Sequence, residues 1–170
     1  LMSSPQRFVD AHVHLWELAR GWYPLLERKP EQGLAADEHG TGDFSALIGR
    51  DYLLRDYFVD AGATPVQKMV HVTAAQSPPR WADETRWLQA LFEREGHPHA
   101  IIGWTDLKRP VAEIDAQLAE HSESPNLRGI RNHEGVDFNS EHTAAAFAVL
   151  ERRGLIYDLV SNDDTHAVAA

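Results

Sequence analysis

The stretch that decides the fold is Phe8-Val9-Asp10-Ala11-His12-Val13-His14-Leu15-Trp16, the first of five apolar runs in a chain of 170 residues. Each run is short and rich in Val and Ile, with little strict alternation of polar and apolar residues. Such runs are typical of strands that are covered on both faces in a parallel sheet. The four later runs are Lys68–Thr73, Ala100–Thr105, Leu127–Arg131 and Leu155–Val160.

Helical patterns lie between these runs. Their apolar residues recur at helical spacing, and the four predicted helices are Tyr52–Ala61, Asp83–Glu95, Pro110–Glu120 and Thr143–Arg153. From the second strand onward, strands begin roughly every 30 residues, which is the size of one βα unit in a right-handed parallel array. The sequence therefore predicts an α/β fold with a parallel sheet.

The connection that follows the first strand does not fit this regular spacing. Residues 17–50 form a long segment with scattered glycines, prolines and charges and no clear helical period. Loops of such length inside a compact domain are commonly lids or binding loops. This loop leaves the carboxyl end of the first strand, and that is the end of a parallel α/β sheet where active sites are built.

Composition narrows the functional classes. The chain has 26 acidic and 16 basic residues and a net charge of −10, which disfavours nucleic acid and anionic membranes as partners. No apolar run approaches the ~20 residues of a membrane span, and Leu1–Arg7 does not have the pattern of a signal peptide. The absence of cysteine excludes thiolate chemistry and favours a cytoplasmic location. The ten histidines indicate metal binding or acid–base chemistry as the first functions to test.

The sharpest local signal is the pair His12 and His14. Alternate residues of a strand point the same way, so two such imidazoles can share one divalent ion at ~2.0–2.1 Å. The alternative is that they are simply two polar side chains at a strand end. We expect His71 to be a packed strand residue, and we expect solvated positions for the histidines without a supporting pattern, which are His39, His121, His142 and His166.

Several segments together resemble the metal-dependent amidohydrolase superfamily, of the amidohydrolase-2 type, and within it the branch of sugar-lactone and muconolactone-type lactonases. Each motif is weak alone, but five occur in the expected order and cover most of the chain outside Glu27–Arg50. The matching segments are Val9–Trp16 with Trp22-Tyr23-Pro24, His71–Ala75 with Glu84–Leu88, Ile102–Leu107, Leu127–Arg131 and Gly154–Leu159.

The resemblance implies a TIM-type (β/α)₈ barrel. Such a barrel typically takes ~250 residues, so residues 1–170 correspond to the amino-terminal part of one domain, truncated after about five βα units. The family's later histidine and aspartate, from strands six and eight, have no counterpart in the chain.

The resemblance also implies functional positions. His12 and His14 match the metal-binding pair of the first strand. Arg131 and His133 lie at the end of strand four, where the family places groups that contact the substrate, and the guanidinium of Arg131 suits a carboxylate. Gln76, after strand two, is expected to orient the substrate, and Trp16 to form a pocket wall.

By this resemblance the complete enzyme is a cytoplasmic hydrolase that opens a lactone or related cyclic ester with metal-activated water. Zinc is the expected ion, with metal-independent catalysis as the alternative. The expected substrate is a small molecule that carries a carboxylate or derives from a sugar. Two other hypotheses stay open. The first is a non-catalytic half-barrel, either a fragment or a binding module that needs a partner chain, with a homo-oligomer through its exposed edges as one form of pairing. The second is a metal-dependent decarboxylase of the same superfamily.

Overall fold

The computed structural model describes residues 7–27, 45–75, 77–132 and 135–159 of the chain. Within these ranges strands and helices alternate. The strands are β1 (Phe8–Val13), β2 (Val66–Val72), β3 (Ala100–Trp104), β4 (Leu127–Arg131) and β5 (Ile156–Asp158). The helices are α1 (Leu54–Ala61), α2 (Asp83–Glu95), α3 (Val111–His121) and α4 (Glu141–Arg152), with short 3₁₀ helices at Leu18–Arg20 and Ser45–Leu47.

The five strands form one sheet in the order β1-β2-β3-β4-β5, and every neighbouring pair is parallel. A helix precedes each strand from β2 onward. Parallel strands in chain order, each joined by a helical crossover, are the arrangement of a TIM-type barrel. The predicted fold class is confirmed, and the four predicted helices lie within two residues of their observed bounds.

Contacts divide the chain into two compact units. The first comprises Leu1–Val13, Pro65–Thr73 and Arg80–Ala170 and contains the whole sheet with α2, α3 and α4. The second comprises His14–Thr64 and Ala74–Pro79 and contains most of the long first connection with α1.

The core of the first unit lies between β4 and the helices α3 and α4. Ile130 of β4 is fully buried in this cluster together with Ile114, Leu118, Ala146 and Val149. Because successive residues of a strand face opposite sides, Gly129 and Arg131 face away from these two helices.

A second buried contact joins β3 to α2 and α3 through His121. This histidine is fully buried, so the expectation of a solvated position was wrong. Its Nε2–H donates to the backbone oxygen of Trp104 (3.0 Å), and its Nδ1 accepts from the Thr85 hydroxyl (2.8 Å). A Cβ at Gly103 would lie 2.9 Å from the His121 ring and 2.9 Å from the Thr85 hydroxyl oxygen, so glycine is what lets the histidine approach the strand. His71, by contrast, is buried in β2 as expected.

The second unit is held together around Trp16. The indole N–H of Trp16 donates to the backbone oxygen of Arg50 (2.7 Å), and the ring stacks on Tyr52 with centroids 5.2 Å apart. Backbone hydrogen bonds in both directions join Trp16 to Tyr52 as an isolated antiparallel bridge. The Tyr52 hydroxyl donates to Asp60, and burial together with this carboxylate raises the pKa of Tyr52 to about 12.

The first strand is shorter than predicted. It ends at Val13, because Val13 is the last residue that pairs with β2, and its register shifts between Asp10 and Val13. His14 therefore lies beyond the strand, and alternation along a regular strand applies to His12 alone. No helix in the described ranges is long and apolar enough to cross a membrane.

We expect Gly129→Ala to destabilise the sheet. Its Cβ would lie 2.5 Å from both the backbone oxygen and Cγ1 of Ile156, so β5 would have to move away from β4. Overpacking of this kind costs about 1–3 kcal/mol, and we expect a loss near the top of that range in urea unfolding. Gly129→Ala combined with Ile156→Ala should recover only part of it, because the clash with the backbone oxygen remains. Wild-type stability in Gly129→Ala would contradict the close approach of the two strands.

Candidate functional site

Three chemically distinct side chains lie in one row at the carboxyl ends of β3, β4 and β5. Trp104 is in register with Arg131, and Arg131 is in register with Asp158. Because Arg131 faces away from α3 and α4, the row lies on the sheet face opposite the helices. In TIM-type barrels the helices form the outer ring and the carboxyl ends of the strands carry the chemistry. The row is therefore our candidate functional site.

Arg131 and Asp158 form a partly buried ion pair. Both Nε and Nη2 of Arg131 donate to the same carboxylate oxygen, Oδ2 of Asp158, at 2.7 and 2.5 Å. The side chains are 13% and 29% exposed, so water screens the pair less than it would on an open surface. Among the residues that the structure describes, none accepts a hydrogen bond from Nη1 of Arg131. That nitrogen can therefore donate to a bound molecule.

Trp104 supplies an apolar wall beside this pair. It is 8% exposed, and its ring centroid lies 3.9 Å from that of Trp81 at an angle of 59°. Its backbone oxygen accepts the hydrogen bond from His121, which fixes the carboxyl end of β3 against α3. An aromatic wall beside a few placed polar groups is the usual composition of a small-molecule site.

The other predicted site residues belong to other segments of the chain. His12 is an exposed residue of β1 whose backbone N–H donates to Asp10 Oδ1 (3.2 Å), and His14 is half-buried directly after the strand. Trp16 is packed within the second unit. Gln76 and His133 lie outside the described residues. The roles predicted for these five residues stay predictions.

The predicted metal pair fits an ion in donor chemistry, since neutral imidazole nitrogens are ordinary ligands of Zn²⁺. The pair is incomplete in number, because catalytic zinc sites take three protein ligands. Within the described parts of the chain, no group of three or more His, Cys, Asp or Glu residues could hold a metal ion. His12 and His14 can therefore supply two ligands of a set that needs at least one more.

Other buried polar groups form hydrogen bonds near the strand ends. The sequence did not predict this role for them. The Thr73 hydroxyl, just after β2, donates to Oε2 of Glu84 at 2.5 Å, and both residues are nearly inaccessible to solvent. Burial lowers the pKa of His121 to about 4, so this histidine is neutral near pH 7. The sequence position of Glu84 could have indicated this contact, because Glu84 lies in the first turn of a helix that follows a predicted strand ending in threonine. Nothing local distinguished His121.

Comparisons with known proteins agree with this fold. No family profile matches the chain. The chain is 33% identical over 168 residues to the uncharacterized protein y4mH of Sinorhizobium fredii, which covers 89% of the chain and 52% of y4mH. It is 32% identical over 127 residues to an L-fucono-1,5-lactonase of Burkholderia ambifaria, which covers 72% of the chain and 35% of that enzyme.

A crystal structure of an amidohydrolase from Burkholderia multivorans with bound HEPES superposes with a TM-score of 0.62 at 23% identity, over 89% of this chain and 47% of that one. The chain thus has a (β/α) fold of TIM-barrel type. The resemblance to the amidohydrolase superfamily that the sequence predicted is confirmed by this fold and by the lactonase relative. The chain spans about half the length of y4mH and of the solved amidohydrolase.

We expect the buried His121 to make the chain less stable in acid. Its pKa is about 4 in the folded state and ~6.5 when unfolded. Only the unfolded chain binds the proton as the pH falls below ~6.5, so His121 favours unfolding increasingly down to pH ~4. The difference corresponds to about 3 kcal/mol.

The measurement is urea unfolding of the wild type and His121→Gln at pH 8, 6, 5 and 4. The stability advantage of the wild type over the variant should shrink by about 3 kcal/mol across this range. His142→Gln is the matched control, because His142 is exposed on α4. An advantage that is equal at pH 8 and pH 4 would show that His121 does not titrate as its burial requires.

Proposed function

We propose that the protein to which this chain belongs hydrolyses a lactone or related cyclic ester. The observation that supports this best is the row of Trp104, Arg131 and Asp158 at the carboxyl ends of three parallel strands. The fold of an amidohydrolase and the sequence match to a lactonase support the same class. The proposed substrate is a small molecule that carries a carboxylate or derives from a sugar. The cysteine-free sequence is the basis for proposing a cytoplasmic location.

In this proposal Arg131 binds the substrate through Nη1. A guanidinium N–H aimed at the ester carbonyl strengthens its hydrogen bond as negative charge develops on that oxygen, and so stabilises the transition state. Asp158 holds the guanidinium in place through Nε and Nη2. Trp104 covers an apolar part of the substrate.

Three further residues enter the proposal from the sequence alone. His133 transfers a proton to the alkoxide that leaves when the ring opens. Gln76 orients the substrate by hydrogen bonding, and Trp16 contacts it.

We propose His12 and His14 as two ligands of a divalent ion, with zinc as the expected metal. Such an ion supplies Lewis-acid polarisation of a carbonyl and lowers the pKa of bound water toward ~7. Hydrolysis without a metal, with His12 and His14 binding the substrate directly, is the alternative.

The test is hydrolysis of a lactone panel by metal-stripped and zinc-loaded protein. We expect zinc to be required and His12→Ala to lower kcat/KM about a hundredfold, because one ligand of the ion is lost. His142→Ala, an exposed histidine of α4, is the control and should keep wild-type activity. Equal rates with and without zinc, or full activity in His12→Ala, would refute the metal role. Release of carbon dioxide instead of a ring-opened acid would identify a decarboxylase.

A second candidate function is a half-barrel that associates with another copy of the chain. The two edge strands expose apolar side chains: Phe8 and Val9 on β1 are 42% and 59% exposed, and Ile156 on β5 and Leu159 just after it are 60% and 44% exposed. An open edge with such side chains is a template for pairing with another strand. The lengths are compatible, since the chain spans about half of the solved amidohydrolase.

Light scattering on the purified chain tests this candidate. We expect a dimer, and we expect Val9→Lys to shift it toward monomer because a lysine on the edge opposes strand pairing. Val59→Lys is the matched control, since Val59 is 78% exposed on α1 and lies on no sheet edge. A soluble monomer at all concentrations would count decisively against association.

A further inference from the structure

The charge balance of the candidate site distinguishes between two kinds of ligand. Arg131 alone would attract any anion, and the sequence suggested a carboxylate as its partner. In the structure Arg131 already has a carboxylate partner in Asp158, which takes two of its hydrogen bonds. The pair has a formal charge of zero, because one guanidinium faces one carboxylate.

The geometry also determines which part of Arg131 remains for a ligand. Strong binding of a carboxylate uses two parallel N–H groups, as in the fork formed by Nε and Nη2. Asp158 occupies that fork with a single oxygen. With respect to the residues that the structure describes, Nη1 remains to donate, and an uncharged carbonyl oxygen is enough to accept its hydrogen bond.

A bound carboxylate would also lie close to the charge of Asp158. Like charges at short range repel, and the repulsion is stronger where water is partly excluded. Asp158 is 29% exposed, and Arg131 is 13% exposed. A neutral ester carbonyl experiences no such repulsion.

We propose that Asp158 is the specificity-determining residue of this site: by neutralising Arg131, it lets Nη1 bind an uncharged lactone carbonyl and reject a carboxylate at that position, which selects the sugar-derived lactone among the substrates proposed above. The inference rests on the proposed lactone hydrolysis. In that reaction the oxygen of water bonds to the carbonyl carbon, the ring C–O bond breaks, and the alkoxide takes a proton. The acid so formed loses a proton to solvent at neutral pH, so an uncharged substrate becomes an anionic product. The pair therefore disfavours the product relative to the substrate and limits product inhibition.

The first experiment compares two probes of equal size that are not hydrolysed, gluconate and gluconamide, by titration calorimetry. The wild type should bind the uncharged gluconamide at least as tightly as gluconate. Asp158→Asn should tighten gluconate about tenfold and change gluconamide by less than about twofold, because the variant leaves the Arg131 charge uncompensated. Asp158→Glu, which keeps the charge, should retain the wild-type preference.

A second readout does not depend on sugar recognition. Phosphate should raise the melting temperature of Asp158→Asn by more than it raises that of the wild type, because an uncompensated arginine binds phosphate, whereas the general stabilising effect of the salt is common to both proteins. Asp158→Ser is a second charge-removing variant in case Asn impairs folding. Glu113→Gln is the matched control, since Glu113 is exposed on α3 and its loss changes the total charge equally without releasing an arginine from an ion pair described in the structure.

The outcomes separate this inference from the proposed function. Gain of phosphate and gluconate binding in Asp158→Asn alone supports the inference, even if no lactone is hydrolysed. If the charge-removing variants gain neither, the ion pair serves only the β4–β5 pairing and the inference is wrong. A wild type that prefers gluconate over gluconamide would overturn it as well.

Discussion

Parallel pairing of the strands in chain order is the constraint on which the other features depend. Because all neighbouring strands are parallel, their carboxyl ends lie at one edge of the sheet, and the helices of the first unit pack on one face of it. Trp104, Arg131 and Asp158 each end a strand, and the register aligns them. The close approach of β5 to β4 at Gly129 maintains that register. Backbone pairing alone therefore places the three residues of the candidate site side by side, whatever the chemistry of their side chains.

The ion pair with Asp158 changes which kind of ligand we expect Arg131 to bind. An unpaired arginine predicts an anionic ligand, whereas one that is already bound by a carboxylate has its remaining N–H groups for a neutral acceptor. The same two residues also join β4 to β5, so one contact serves both the sheet and the site. The ligand that we expect for Arg131 therefore depends on Asp158.

The two edge strands of the sheet leave apolar surface uncovered. Each inner strand pairs with a neighbour on both sides, whereas β1 and β5 each pair with one neighbour within the described residues and expose apolar side chains. The chain spans about half of the solved amidohydrolase, whose fold it shares. A protein that completes these edges, whether by its own residues or by a second copy, would protect the same apolar surface from water.

The sequence by itself determined the order and type of the elements, because apolar runs and helical periodicity are local properties of the chain. The resemblance in sequence also proposed Arg131 as a site residue, and that role stays a prediction. Tertiary structure alone decided that Asp158 occupies its guanidinium and that His121 is buried between α2, α3 and β3. Both results depend on residues distant in sequence, brought together by register and by the space that a glycine leaves, and neither leaves a local pattern. The end of β1 at Val13 was likewise decided by tertiary structure, since Val13 is the last residue of β1 that pairs with β2.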